Sequence, residues 1–181
     1  MKKFELTAES KINIFGKKLF RIKALISFGD VEEGETGGWI EKEENLEQSS
    51  GDAWVSGDAE VYGNARVYGN AEVYGNARVS GNARVSGDAE VSGNAWVSGN
   101  AEVYGNADYT TIHGFGTQFR TTTFFQCKDK QIRVSCGCFL GTIPEFREQV
   151  KNTREGKIAE EYLMIADLME KHFVKEKESG E

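Results

Sequence analysis

The chain has 181 residues, a net charge of −7 and a single proline, which leaves room for one elongated repeat domain with one or two small caps. No apolar run is long enough to cross a bilayer and the first residues lack the apolar stretch of a signal peptide, so we expect no membrane segment and a cytoplasmic location in a bacterial host cell. The three cysteines, an odd number lying close together, fit a reducing cytoplasm better than a disulfide framework.

Residues 1–28 are predicted to form a basic β-hairpin that caps the rest of the chain. Apolar and polar residues alternate on both sides of a Gly16-Lys17 turn, as they do in a hairpin with one apolar face. This segment carries a net charge of +5, whereas residues 29–108 carry −12. Such asymmetry points to contact with a polyanion at one end, although capping alone also explains the hairpin. The candidate contacts to RNA phosphates or to an acidic partner are Lys17, Lys18, Arg21 and Lys23.

Residues 29–110 are predicted to form a parallel β-helix. One six-residue unit recurs ten times between Gly51 and Thr110, from GDAWVS to GNADYT, and the less regular residues 29–50 read as a first coil. Every unit opens with Gly-Asn or Gly-Asp, which tolerate the positive φ of a corner. An Ala and a Val two positions apart then point to the same side, so three units should close one triangular coil with a thin Val/Ala interior.

The repeats resemble the hexapeptide-repeat left-handed β-helix family over residues 51–110. The resemblance implies left-handed winding and makes a homo-oligomer, dimer or trimer, plausible. Acyltransferases of that family use a histidine within the coils, and residues 51–110 contain none. Carbonic anhydrases of that fold need three histidines, and this chain has two.

Outward positions of the repeats are predicted to pair by column, because every third unit stacks. Glu60 should pair with Arg78, and Glu102 with Arg84, as exposed ion pairs that contribute little stability. Six aromatic side chains also point outward and read either as surface rings that cover backbone or as a self-association face. They are Trp54, Tyr62, Tyr68, Tyr74, Trp96 and Tyr104.

Residues 111–181 are predicted to form a small α+β module, a β-hairpin with two helices packed on it, so that the whole chain is mainly β. A glycine-rich loop at 112–117 precedes strands at 121–127 and 131–138. Thr142 and Glu145 form a capping box around Pro144 at the start of the first helix. A second helix, amphipathic in its spacing, covers 157 to about 174.

The module holds the most reactive set of side chains in the sequence. A histidine of near-neutral pKa can take a proton from a ribose 2′-hydroxyl, and an arginine can clamp a phosphate and stabilise its transition state. We therefore consider His113 as a residue that can accept this proton. The alternative is a histidine in the loop that closes the rod, with ordinary strand threonines. The candidate catalytic residues are His113, Arg120, Thr121, Thr122 and Thr123, and the further phosphate contacts are Lys128 and Lys130.

The cysteines also invite a metal interpretation. His113 with Cys127, Cys136 and Cys138 would make four ligands, but this Cys-x-Cys pattern lacks the paired spacing of zinc sites. Cys136 and Cys138 share a face with apolar strand residues, so we expect buried core cysteines and no metal or other cofactor.

The chain as a whole combines a basic hairpin, a hexapeptide rod and a module in which His113-Gly114-Phe115-Gly116 is followed by Arg120 and the threonines. This layout resembles that of phage and mobile-element anti-CRISPR proteins that truncate the guide RNA of the type II effector. The resemblance implies a metal-independent ribonuclease in the module, with guide RNA or the type II CRISPR effector as partner. In that case the N-terminal hairpin would dock on the complex, His113 would be the general base, and Lys130 or Tyr109 would be the candidate general acid. The alternative is a non-enzymatic structural or partner-binding β-helix protein.

Overall fold

The computed structural model describes residues 2–174, and the predicted module therefore extends past the described residues at 175–181. The described chain is mainly β, with two helices near its end. The strands are β1 (Phe4–Ile12), β2 (Lys18–Ala24), β3 (Thr36–Ile40), β4 (Trp54–Val55), β5 (Glu60–Val61), β6 (Arg66–Val67), β7 (Glu72–Val73), β8 (Arg78–Val79), β9 (Arg84–Val85), β10 (Glu90–Val91), β11 (Trp96–Val97), β12 (Glu102–Val103), β13 (Tyr109–Phe115), β14 (Arg120–Gln126), β15 (Ile132–Cys136) and β16 (Phe139–Thr142). The helices are α1 (Ile143–Thr153) and α2 (Gly156–His172).

The hexapeptide repeats form the predicted parallel β-helix. Each of the first nine repeats supplies a two-residue strand, which pairs in parallel with the strand three repeats away, as Val61 does with Val79. Three stacked faces result, with strand orders β3-β5-β8-β11, β4-β7-β10 and β6-β9-β12. The alanines and valines of the first nine repeats are at most 1% exposed, which confirms the Val/Ala interior, whereas Ala107 of the tenth repeat is exposed. Larger apolar side chains, Ile40 and Leu46, enter the core only in the first coil, so the repeats are held by many small contacts and by their backbone ladders.

The corners stack as closely as the faces. Gly81 has a φ of 68°, a conformation that side chains with a Cβ rarely adopt, and it lies against Gly99 of the next coil. Next to these glycines the Asn64 amide donates to Asn82 Oδ1 at 3.2 Å, and the Asn82 amide donates to Asn100 Oδ1 at 3.3 Å. The Gly-Asn pairs thus serve two purposes, since the glycine allows the turn and the asparagine joins one coil to the next.

The predicted N-terminal hairpin is confirmed, and it extends one face of the rod. β1 and β2 pair antiparallel, β2 pairs antiparallel with β3, and β3 joins the rod in parallel with β5. The register of β1 and β2 shifts between Leu6 and Ser10, as at a β-bulge, which bends a strand. Beyond this shift the turn of residues 13–17 crosses the outer side of the rod, where Phe15 meets Tyr62 at 6.1 Å between ring centroids.

This covering changes the environment of several outward side chains. Trp54 and Tyr62 are buried rather than exposed, because Phe4 packs edge-on against Trp54 at 6.5 Å and the hairpin covers Tyr62. The predicted pair of Glu60 and Arg78 is present at 3.6 Å, but Glu60 is only 6% exposed. The expectation of an exposed pair is therefore wrong at this column.

The C-terminal module is an antiparallel sheet of four strands, β13-β14-β15-β16, with α1 and α2 on one side. The segment predicted as a glycine-rich loop lies mostly in β13, which pairs with β14 across a register shift between Ile112 and Phe115. Alternation along β14 sends Phe124 into the helix side and Phe125 into the end of the rod. The predicted capping box is confirmed, since the Thr142 hydroxyl accepts from the Glu145 amide at 3.3 Å.

Neither described helix is long and apolar enough to cross a membrane.

Candidate functional site

A cleft of about 540 Å³ lies where the turn of the N-terminal hairpin, the rod and the C-terminal module meet. Its walls are the hairpin turn with Ile14 and Phe15, the repeat residues 94–96, and the rod-facing side of the module with His113 and Arg120. We call it the aromatic cleft. It exists because the hairpin reaches along the rod as far as β11, where Phe15 packs on Trp96 with 5.3 Å between ring centroids.

Three aromatic rings border the aromatic cleft and are only partly covered by protein. Phe15 is 46% exposed and Phe119 is 66% exposed, while Trp96 is held in place by its indole nitrogen, which donates to Ser80 Oγ at 3.3 Å. Phe119 has a φ of 48°, which costs a non-glycine residue about 1–2 kcal/mol. An exposed aromatic ring in a strained conformation contributes little to folding, and such strain concentrates at functional sites.

His113 and Thr121 lie together in the aromatic cleft. They face the rod because they alternate with Ile112 and Thr122, which lie on the helix side of the sheet. His113 Nδ1 is 3.1 Å from Thr121 Oγ1, so the hydroxyl orients the imidazole and leaves Nε2 as the outward nitrogen. Among the described residues that line the cleft, none is acidic, whereas Arg78 and Arg120 both are basic.

The other two predicted threonines are committed to packing. The Thr122 hydroxyl donates to Cys136 Sγ at 3.2 Å, and Thr122 is 2% exposed. The Thr123 hydroxyl accepts from the Trp96 amide at 3.0 Å and is 1% exposed, so it fastens the module to the rod. Only Thr121 of the run is placed to meet a ligand in the aromatic cleft.

The structure does not bring Lys128 and Lys130 to His113. Both are exposed in the turn between β14 and β15, about 17 Å along β14 from Thr121 at the usual rise per strand residue. The Lys128 amide donates to the Asn100 carbonyl at 3.1 Å, which holds this turn against the last coil of the rod. Tyr109, the other candidate acid, donates its hydroxyl to the Glu90 carbonyl at 2.6 Å.

The four candidate contact residues of the hairpin divide into two groups. Arg21 donates to the Gly57 carbonyl at 3.0 Å and lies over the Trp39 ring, and Lys17 pairs with Glu41 at 3.3 Å. Lys18 and Lys23 are exposed on the hairpin surface. The second group is therefore the one that is open to a partner.

The three cysteines are free and differ in environment. Cys127 is buried at the end of the rod, and burial raises the pKa of its thiol to about 11. Cys136 is half-buried on the helix side, whereas Cys138 is exposed and lines the aromatic cleft, so the expectation that Cys138 lies in the core is wrong. Within residues 2–174 no group of His, Cys, Asp or Glu has the arrangement of a metal site.

A second, smaller cavity of about 140 Å³ lies behind Arg120, between the sheet and the two helices. We call it the inner cavity. Arg120 borders both cavities, and it passes over Gly137, where a Cβ would overlap the guanidinium. The sequence does not indicate that Arg154 and Tyr162 belong to a site with Arg120, since neither is near His113 in sequence. It also does not indicate that Phe15, Trp96 and Phe119 border the aromatic cleft, although Ile14-Phe15 at the tip of a hairpin is a signal of apolar side chains without a core to enter.

The fold defines a β-solenoid repeat protein with an α+β module at the C-terminal end of the rod. Residues 59–75, 71–87, 77–93 and 83–99 match the family model described as the YdcK β-solenoid repeat. No curated protein matches the chain significantly. The matched residues lie within the rod and do not reach His113 or Arg120, so the comparison supports the repeat architecture and leaves the chemistry of the cleft to be argued from its residues.

Proposed function

We propose that the protein binds single-stranded RNA in the aromatic cleft, and that this RNA is the guide RNA of a type II CRISPR effector. The protein would then be a counter-defence factor of a phage or mobile element, in keeping with the resemblance noted from the sequence. The observation that carries the proposal is the makeup of the cleft, in which partly exposed aromatic rings stand beside Arg120 and His113 with no acidic residue lining it.

This makeup suits an unpaired nucleotide better than a duplex. Unstacked bases pack on aromatic side chains and on arginine, which is the usual way in which proteins hold single-stranded RNA. Each base-aromatic stack is worth about 1–3 kcal/mol, so two rings such as Phe15 and Phe119 suffice for measurable binding. The exposed Lys18 and Lys23 lie on the same hairpin as Phe15 and would contact the effector or more distant phosphates.

Cleavage of the bound RNA is the stronger form of the proposal. His113 would take the proton of a ribose 2′-hydroxyl, and Arg120 would stabilise the charge of the phosphate. A general acid for the leaving 5′-oxygen is needed as well, and both candidates, Tyr109 and Lys130, lie elsewhere. This separation favours a second candidate function, in which the protein binds and withholds the RNA without cutting it.

The binding test uses fluorescence anisotropy with labelled single-stranded RNA over a range of salt concentrations. We expect Phe15→Ala and Phe119→Ala each to weaken binding by about tenfold or more, and Arg120→Gln to lower both the affinity and its salt dependence. Tyr104→Ala is the matched control, since Tyr104 is an aromatic residue of the rod with 43% exposure and does not line the cleft. Equal affinity of all four variants and the wild type would refute the proposed site.

The cleavage test is a denaturing gel of guide RNA incubated with the protein, with and without the type II effector. A discrete shortened RNA that disappears with His113→Ala but persists with His172→Ala would identify a ribonuclease centred on His113. His172 is the matched control because it is exposed at the end of α2, away from the cleft. Intact RNA in every lane, together with binding, would leave the second candidate.

A homo-oligomer, dimer or trimer, also stays a prediction. Tyr104 is exposed on the rod, and Tyr68 and Tyr74 are half-buried there. Sedimentation equilibrium of the wild type beside Tyr104→Ser would test whether this surface joins copies of the chain.

A further inference from the structure

The inner cavity has the makeup of an anion site. Arginines and uncharged polar residues line it beside apolar side chains, and none of its lining residues in the described chain is acidic; the polar ones include Arg120, Arg154, Gln118, Gln149 and Thr153. The ion pairs of the described residues involve neither arginine. In the part of the chain that the structure describes, the Arg154 guanidinium donates one hydrogen bond, to the adjacent Thr153 carbonyl at 2.8 Å. Two positive charges thus border a small space, and residues 2–174 supply no counter-charge to either of them.

The size of the inner cavity limits what that anion can be. A volume of about 140 Å³ is that of four or five water molecules at about 30 Å³ each. A space of this size holds one phosphate group but not the nucleotides on both sides of an internal phosphodiester. The apolar side chains of Phe146 and Val150 on α1 close its far side.

Tyr162 forms part of the same wall and stays protonated. Burial raises the pKa of its hydroxyl, and the neighbouring Cys136 thiol raises it further. The hydroxyl donates to the Phe115 carbonyl at 3.2 Å, which ties α2 to the end of β13. Tyr162 therefore brings no negative charge to the inner cavity at neutral pH.

The inner cavity adjoins the aromatic cleft through Arg120. A nucleotide with its base among Phe15, Trp96 and Phe119 would direct its phosphate toward this guanidinium, which borders both spaces. We infer that the inner cavity binds a terminal phosphate monoester, held by Arg120 and Arg154, of a nucleotide whose base lies in the aromatic cleft. The inference rests on the proposed function for the RNA end, and a free mononucleotide offers the same chemistry.

A monoester fits better than an internal phosphodiester for a second reason. At neutral pH it carries between −1.5 and −2 charges, because its second pKa is about 6. An internal phosphodiester carries one. Two guanidinium groups therefore match the monoester in charge as well as in shape.

The test compares three forms of one short labelled oligouridine, bearing a 5′-phosphate, a 3′-phosphate or neither. We expect one phosphorylated form to bind about tenfold or more tightly than the unphosphorylated form, the usual value of a charge-assisted contact. Arg154→Gln should remove this advantage and leave the affinity for the unphosphorylated form unchanged. Lys151→Gln is the matched control, because Lys151 is a basic residue of α1 that is exposed and does not line the inner cavity.

Circular dichroism and thermal unfolding of both variants check that they fold. Equal affinity for the three oligonucleotides, or an unchanged advantage with Arg154→Gln, would overturn the inference. A parallel titration with uridine monophosphate separates the inference from the proposed function. If uridine monophosphate binds and its binding requires Arg154 while no RNA binds, the phosphate site is supported and the RNA proposal is refuted. If none of the phosphorylated probes binds, the phosphate site is refuted.

Discussion

The stacked corners of the rod allow one contact to be measured against a matched control. Gly81 and Gly93 both have positive φ values, 68° and 65°, so an alanine at either position has the same local conformational cost. At Gly81 an added Cβ would lie 2.9 Å from the Gly99 nitrogen and 3.1 Å from its oxygen. At Gly93 no atom lies within 4 Å of that place, because the module replaces the next coil there.

The expected losses follow from these two geometries. Gly93→Ala should lower the free energy of unfolding by the left-handed term alone, about 1–2 kcal/mol. Gly81→Ala adds the cost of moving two packed backbones apart, about 1–3 kcal/mol by analogy with overpacked cores. We therefore expect a difference of about 1–3 kcal/mol between the variants.

Urea unfolding measures the difference, followed both by far-ultraviolet circular dichroism and by tryptophan fluorescence. Coincident transitions of the two signals show that unfolding is a single event for which the free energy is defined. Equal losses for the two variants would refute the reasoning, since the contact between neighbouring glycines would then contribute nothing beyond the turn itself. A larger loss for Gly93→Ala would refute it as well.

Three other predictions concern stability and its separation from binding. Burial raises the pKa of the Cys127 thiol from 9.0 to about 11, so the stability that the protonated thiol contributes is fully present below pH 9 and is lost as the pH rises through 11. This contribution is about 3 kcal/mol. The stability advantage of the wild type over Cys127→Ala should therefore shrink between pH 9 and 11, and a constant difference would contradict the assignment. Phe119→Gly should leave the protein as stable or up to about 1–2 kcal/mol more stable, since it removes a strained φ, while it weakens RNA binding; a loss in thermal unfolding temperature would show that the ring packs structurally. Thr142→Ala should cost about 1 kcal/mol through the lost cap of α1, and Thr142→Ser should restore it in the same unfolding assay.

The sequence predicts most where one physical rule repeats. The period of the hexapeptides determines the coils, and the spacing of Val and Ala determines which side chains enter them. The capping box predicts the start of α1 because the two side chains involved are three residues apart and need nothing else. In each case the decisive interactions are local, or recur so often that their sum is unmistakable.

The sequence does not predict contacts between segments that are distant along the chain, and its glycines do not always mark loops. Gly114 and Gly116 suggest a loop, but Gly114 lies in the bulged end of β13 with a φ of 93°, and only Gly116, with a φ of 72°, belongs to the turn that follows. Lys128 and Lys130 appear close to His113 in sequence, yet an extended strand separates them in space. The aromatic cleft combines Phe15 with His113, and no pattern in the sequence states how far the hairpin reaches along the rod.

Because the hairpin extends a fixed distance along the rod, the number of coils determines where the module lies relative to the hairpin tip. One coil consumes 18 residues and advances the chain by about 4.8 Å, the spacing of neighbouring strands. Loss or duplication of a whole coil would move the module by one such step past a hairpin tip of fixed length, and loss of a single hexapeptide would turn it by about a third of a revolution. The repeats between β3 and β12 therefore behave as a counted length, and related chains with other numbers of repeats should show a compensating change in the length of the hairpin.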